Sequence, residues 1–381
     1  MSLPSTTSPD TSNTQREIRP TRGHQGRRWR VFAVLGGLAL LMVLASLAGQ
    51  WWNSRQTSMV PGRPLSYPQT HLHTVMMSAR NGVVYLGTHF GLFTSTDGGR
   101  TWPQNEGALK TCMVTAIAVS PSRSDDLAVL TVPTSGLGRQ PEVYVSSDAG
   151  QHWRTSTPAG LPATAYPYTI QSAPGAGGHF YVFYSYAGWF ETLDLGQHWR
   201  PITSGSLSSI LSPSLLVDAG DPAHLLMGGD QGLFETRDDG QHWQKIREVS
   251  GTVLTLAATA AAQDAPRTVL VSTDQGLYRW QDTSDGQRAI SKLSTLPTPS
   301  SPTRMTLSAD GRSFYALFGS DLWFSSDLGT HWTQRWHFTR GDLVSLVLDP
   351  DNEQELLAGF YSPAVVQFST DAGHTWQILT H

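Results

Sequence analysis

The chain has 381 residues, 39% of them hydrophobic and 15% charged, with Gly 36 and Pro 23. Its 13 Trp, 11 Tyr and 13 Phe argue against a disordered chain, and a single cysteine, Cys112, excludes an intrachain disulfide framework and a cysteine-based zinc cluster. Residues 1–30 carry six arginines against Asp10 and Glu17, net +4, which leaves −8 on the remainder; so acidic a body is a poor duplex-binding surface, and no nucleic-acid partner is expected.

The first 30 residues are rich in Ser, Thr, Pro and Arg and read as a disordered tail, because they cannot bury enough apolar surface to offset chain entropy. Residues 31–49, VFAVLGGLALLMVLASLAG, carry no charge. A helix of that length spans roughly 28 Å, close to the hydrocarbon thickness of a bilayer. Arg27, Arg28 and Arg30 flank one end, and Trp29, Trp51 and Trp52 stand where interfacial aromatics belong. The segment reads as a single transmembrane signal-anchor with the tail in the cytoplasm and the body outside the cell. The alternatives are a signal cleaved near Ser46-Leu47-Ala48, a twin-arginine export signal at Arg27-Arg28 and a buried helix. Residues 50–70, with Pro61, Pro64 and Pro68, follow as a linker.

From residue 71 the chain repeats itself. Ser/Thr-x-Asp-x-Gly-x-x-Trp occurs six times, as STDGGRTW (95–102), SSDAGQHW (146–153), TLDLGQHW (192–199), TRDDGQHW (236–243), SSDLGTHW (325–332) and STDAGHTW (369–376). The aspartates are Asp97, Asp148, Asp194, Asp238, Asp327 and Asp371, and the paired tryptophans are Trp102, Trp153, Trp199, Trp243, Trp332 and Trp376. One gap between boxes is two periods long. It contains Gly276-Leu277-Tyr278, which repeats the Gly91-Leu92-Phe93 that precedes a good box, followed by QDTSDG (281–286) without the final Trp. Seven units of about 44 residues result, each with short alternating runs broken by Gly, Pro and Asp. Four strands per unit, seven times over, predict an all-β fold, a seven-bladed β-propeller over residues 71–381 with four antiparallel strands per blade.

Each box is a turn device. The Asp carboxylate accepts backbone N–H bonds, the Ser/Thr adds a second local bond, the fifth-position Gly tolerates positive φ, and the Trp wedges between sheets. Six equivalent catalysts in one chain make no chemical sense, and one carboxylate per box falls short of the six or more oxygens of a calcium site. The box histidines, His152, His198, His242, His331 and His374, are distributed one per turn and form no metal cluster. No metal and no cofactor are expected.

These boxes resemble the Asp-box, or BNR, repeat of the sialidase superfamily of β-propellers, over about residues 71–381. The resemblance implies a propeller shared by sialidases, two-propeller xyloglucanases, sortilin-type receptor domains and the Ycf48-like photosystem II assembly factors, the last being the nearest seven-bladed type. Sialidases use three arginines for the substrate carboxylate, the first in an Arg-Ile-Pro string, together with a tyrosine nucleophile and an acid/base aspartate. Here the nearest string is Arg63-Pro64, without the Ile, and no Arg triad can be assigned, so no catalytic residue is expected.

Alternating strand direction puts the boxes and the first-to-second-strand turns on one face. The second-to-third turns and the loops between blades share the other, around the channel mouth where propellers bind. Long loops are expected there at 131–142, 155–168 and 293–303, the second with Tyr166 and Tyr168 at its end. Asp230, Asp274 and Asp321 stand in second-to-third turns of blades 4, 5 and 6, either as a ligand-binding arc or as ordinary turn formers. Cys112 reads as a small hydrophobe on an inner strand. The expected function is a membrane-anchored extracytoplasmic module that binds a protein or a glycan on the face opposite the boxes. The alternative is an exported glycoside hydrolase of the sialidase or xyloglucanase type.

Overall fold

The structure is a computed structural model and describes residues 65, 67, 69–78, 82–105, 107–134, 141–163, 165–175, 177–259, 267–282 and 288–379. The tail, the apolar segment 31–49 and most of the 50–70 linker lie outside the described residues, so the expected anchor has no structural counterpart here. Among the described residues no helix is long and apolar enough to cross a membrane.

Seven antiparallel sheets follow one another in chain order. Blade 1 has β1 (Leu72–Met77), β2 (Val84–Thr88) and β3 (Gly91–Ser95). Blade 2 has β4 (Cys112–Val119), β5 (Leu127–Pro133), β6 (Glu142–Ser146) and β7 (Arg154–Thr155). Blade 3 has β8 (Pro167–Ser172), β9 (Phe180–Tyr184), β10 (Gly188–Thr192) and β11 (Arg200–Pro201). Blade 4 has β12 (Ser214–Val217), β13 (Leu225–Gly229), β14 (Gly232–Thr236) and β15 (Gln244–Lys245). Blade 5 has β16 (Val253–Ala258), β17 (Thr268–Thr273), β18 (Gly276–Asp282) and β19 (Arg288–Lys292). Blade 6 has β20 (Arg304–Leu307), β21 (Phe314–Phe318), β22 (Asp321–Ser325) and β23 (Thr333–His337). Blade 7 has β24 (Leu343–Leu348), β25 (Leu356–Phe360), β26 (Val365–Ser369) and β27 (Gln377–Ile378). The expected seven-bladed propeller is the fold. In blade 1 the expected fourth strand shrinks to one bridge, Phe93 to Gln104.

Burial explains why these sequences make blades. The second strand of a blade lies between two neighbouring sheets, so both of its faces are covered and every residue of β2, β9, β13, β17, β21 and β25 is buried. Such strands read as continuous apolar runs, FYVFY and FYALF, rather than as alternation. The outermost strands β7, β11, β15 and β27 are two residues long and exposed. Short, polar outer strands leave little edge for another sheet to pair with.

The core divides into seven clusters, one per blade interface. Each box tryptophan packs against the interface with the preceding blade: Trp153 on Tyr85 and Val129, Trp243 on Ile202 and Leu215, Trp376 on Leu346 and Phe360. Of the six, Trp199 is buried and the other five are half-buried, so the wedge covers the rim of each interface more often than its centre. The ring closes between blade 7 and blade 1 without a shared strand. Leu65, from the stretch expected to be linker, is buried there with Leu72, Val75 and Val366, and Thr70 accepts a 2.9 Å bond from Ala364 N–H.

Candidate functional site

In all six boxes the Ser/Thr hydroxyl lies 2.7–2.9 Å from its Asp, and the fifth-position Gly N–H donates back to that hydroxyl at 2.8–3.1 Å. The seventh residue seals the turn twice. Its N–H donates to one Asp oxygen, as His198 does to Asp194 at 2.9 Å, and its side chain bonds the other, His198 Nδ1 at 2.6 Å. His152, His242 and His331 do the same, whereas Thr101 and Thr375 use a hydroxyl. His374 sits one position earlier and instead contacts Arg335.

This bonding fixes the aspartates as anions. The His242 N–H chiefly holds Asp238 down at about 2, and the Thr375 hydroxyl does the same for Asp371. Burial would raise Asp194 and Asp327, but bonds from His198 and His331 outweigh it and leave both at about 2. Each of these carboxylates accepts three or four bonds from its own box, which is the work of a turn anchor. The fourth box residue also has positive φ, from 55° at Leu195 to 71° at Gly98. Its identity varies, so composition gave no sign of it.

The opposite face holds the expected candidates. Asp230 Oδ1 accepts Leu211 N–H at 2.7 Å, and Asp274 Oδ1 accepts Thr252 N–H at 2.8 Å. Asp321 Oδ1 bonds His337 Nδ1 at 2.7 Å and Gln334 Nε2 at 2.9 Å. Each thus ties down neighbouring chain of its own blade, and among the described residues no bond joins the three. Tyr166 and Tyr168 are 50% and 46% exposed. The same face adds Tyr186, 79% exposed at the tip of the β9–β10 hairpin with φ 63°, and Leu211 at 52%. Ser185 N–H donates to Tyr166 O at 2.8 Å, so Tyr186 stands beside Tyr166. The apolar run FYVFY ends as β9 at Tyr184 and the chain turns at Ser185, which is what brings Tyr186 to the surface. Arg304, on inner strand β20, bonds only the carbonyls of Thr303 and Val344, and desolvation lowers its pKa against a favourable influence from Tyr168. Residues 135–140 of the expected 131–142 loop lie outside the described residues.

At the box-side end of the axis, where the inner strands finish, opens a cavity of about 320 Å³ walled by Pro121, Pro174, Leu216, Leu307 and Leu348. Its charged lining group, Arg267, is ion-paired to Asp218. Among the described residues no three His, Cys, Asp or Glu side chains are grouped to hold a metal ion.

Two buried charge networks between blades also escaped the sequence. His179 pairs with Glu191 at 2.6 Å in blade 3, and in blade 4 His224 bridges Glu235 at 2.9 Å and Asp218 at 3.0 Å. In each blade the pair joins the start of the second strand to the fourth residue of the third. Arg200 links Glu191 to Asp239 of the next box, while Arg267 and Arg288 of blade 5 reach Asp218 and Glu235. Burial opposes charge on His224, but its two carboxylates prevail and raise its pKa. Burial raises Asp239, while the bonds from His179 and Arg200 prevail over burial and lower Glu191. Carboxylates driven apart in this way are what acid/base chemistry requires. Here they are locked in a blade interface, Glu191 being 1% exposed, so the arrangement welds blades.

No family model and no curated protein matches the chain. Solved structures do match in fold. A GH74 xyloglucanase from Xanthomonas campestris superposes with a TM-score of 0.63 at 15% identity, covering 85% of this chain and 56% of that one. YCF48 from Cyanidioschyzon merolae gives 0.59 at 14%, covering 81% and 99%. The Cps50 (Swd1) β-propeller domain of Myceliophteria thermophila gives 0.58 at 15%, covering 79% and 97%. The chain therefore spans little more than half of the xyloglucanase and nearly all of the other two. It is a seven-bladed β-propeller, similar in fold to enzymes and to Ycf48-type proteins.

Proposed function

We propose that the protein is a non-catalytic binding module that takes a protein or a glycan on the face opposite the boxes, and that segment 31–49 anchors it in a membrane with the propeller outside. The carrying observation is that Tyr166, Tyr168, Tyr186 and Leu211, four of the six large hydrophobic side chains that the described residues expose, all stand on this one face. Large apolar side chains exposed on one face of a rigid scaffold are what an interaction surface presents. Leu193 and Ile378, the other two, stand apart on the box face and on an outer strand. Against hydrolysis stands the bonding of Asp230, Asp274 and Asp321 to their own blades, where glycoside cleavage needs two carboxylates free to meet one bond.

The test pairs two assays on the full chain. Photo-crosslinking from position 186 in the native host should trap a ligand that Tyr166→Ser with Tyr168→Ser no longer holds, at unchanged melting temperature. Turnover of xyloglucan or of a fluorogenic sialoside would overturn the reading. Release of the protein by washing without detergent would overturn the anchor.

A further inference from the structure

At the seam where the ring closes, three histidines that the boxes do not use lie together. His71 immediately precedes β1, His73 is the second residue of β1, and His89 stands in the β2–β3 turn. The ring of His89 is 5.7 Å from that of His71 and 6.1 Å from that of His73. From blade 7, Tyr361 covers them, 4.8 Å from His71 and 5.8 Å from His73. Around this cluster run the bonds that join the two ends of the chain. Leu72 N–H donates to Tyr361 O at 2.8 Å, Ala364 N–H to Thr70 O at 2.9 Å, and Val75 N–H to Ser345 Oγ at 3.0 Å. Because blade 1 is built wholly from the amino-terminal end and blade 7 wholly from the carboxyl-terminal end, no four-strand ladder spans the seam.

Among the described residues nothing around the cluster compensates a positive charge. His73 Nε2 is buried without a hydrogen-bond partner. The titratable groups on the elements packed against β1 are Tyr85 on β2, Cys112 on β4 and Tyr361 of blade 7. Behind Tyr361, Arg340 and Asp342 are already paired with each other at 2.6 Å, and Tyr67 packs on Phe90 beyond His89. No carboxylate reaches an imidazole of this cluster among the described residues. The contrast with His224, held by two carboxylates, is complete.

We propose that the seam between blade 1 and blade 7 is an acid-operated latch, shut while the three clustered imidazoles are neutral and opened when one must take a proton. Burial pushes His73 down to about 3, with His89 and His71 adding repulsion, and burial likewise lowers His89 to about 4 and also lowers His71. In the opened seam these groups return toward ~6.5. A lowered histidine gives stability that is complete above the opened-state value and lost as pH falls below it. The seam therefore weakens between about pH 6.5 and 4, above the window in which the box aspartates take up protons.

Hydrogen exchange on the full chain, corrected for intrinsic rate, tests the latch. From pH 7.5 to 5.0 one such histidine favours opening roughly thirtyfold. Amides of β1 and β24–β26 should lose protection by at least that factor, while β13 and β14 of blade 4 keep theirs. His89→Gln, a half-exposed position that the fold should tolerate, should shrink the effect, and His73→Phe should shrink it further. Equal loss in every blade, or an unchanged pH response in a folded His89→Gln protein, would overturn the proposal.

Discussion

Blade 5 and its six neighbours reach the same packing by different means. In the box blades a turn after the third strand carries the tryptophan to the interface with the preceding blade. Blade 5 has no box tryptophan and places Trp280 directly on β18, 1% exposed among Leu226, Leu233, Val271 and Tyr278. Arg288 on β19 lies over its ring at 5.3 Å and continues to Glu235 at 2.9 Å. What each interface requires is a large planar side chain where blades meet. The box is one way to deliver it, which is why a unit can lose its motif and remain a blade.

That comparison can be broken first at the tryptophans. Trp280→Ala should cost about 3–5 kcal/mol, the range for truncating a fully buried aromatic, whereas Trp153→Ala, half-buried and bonded to Gly150 O at 2.9 Å, should cost clearly less. Urea unfolding of the two variants checks the order; equal costs would mean that the box tryptophans anchor the interfaces as deeply as Trp280. Asp194→Ala comes next. It removes the 3.0 and 2.9 Å acceptor of the Gln197 and His198 N–H groups, and because water reaches both donors about 0.5–1.5 kcal/mol should be lost. Truncation of Gln281 in blade 5, which has no box to open, should stay below that. The smallest effect concerns acid. Because the box aspartates near 2 lie below their unfolded values, their stabilisation is present above about pH 4 and disappears as pH falls toward 2. Asp238→Asn should flatten the melting temperature over that range, by a share that repeats across boxes and is missing from blade 5.

The six boxes and the alternating runs sufficed to predict seven four-stranded blades, because a turn that needs a carboxylate, a small residue and an aromatic at fixed offsets leaves its mark in local sequence. Asp230, Asp274 and Asp321 were equally visible, but a turn former and a ligand use the same residue at the same place, and the bonds to Leu211, Thr252 and His337 were not legible in the sequence. Tyr186 was obscured by the apolar run leading into its hairpin. The pairs His179–Glu191 and His224–Glu235 could have been found as a His before the second strand matched by a Glu on the third in GWFET and GLFET, a regularity confined to two blades.

By itself the sequence determined the number of blades, the face on which the boxes lie and the strand order, all set by contacts within about 45 residues of chain. Only the tertiary structure decided what meets between blades: which histidines gain carboxylates and which cluster without one, which tryptophan is central, and where aromatic side chains stay in water. Those outcomes depend on side chains brought together from separate repeats, or from opposite ends of the chain, and local periodicity carries no information about that distance.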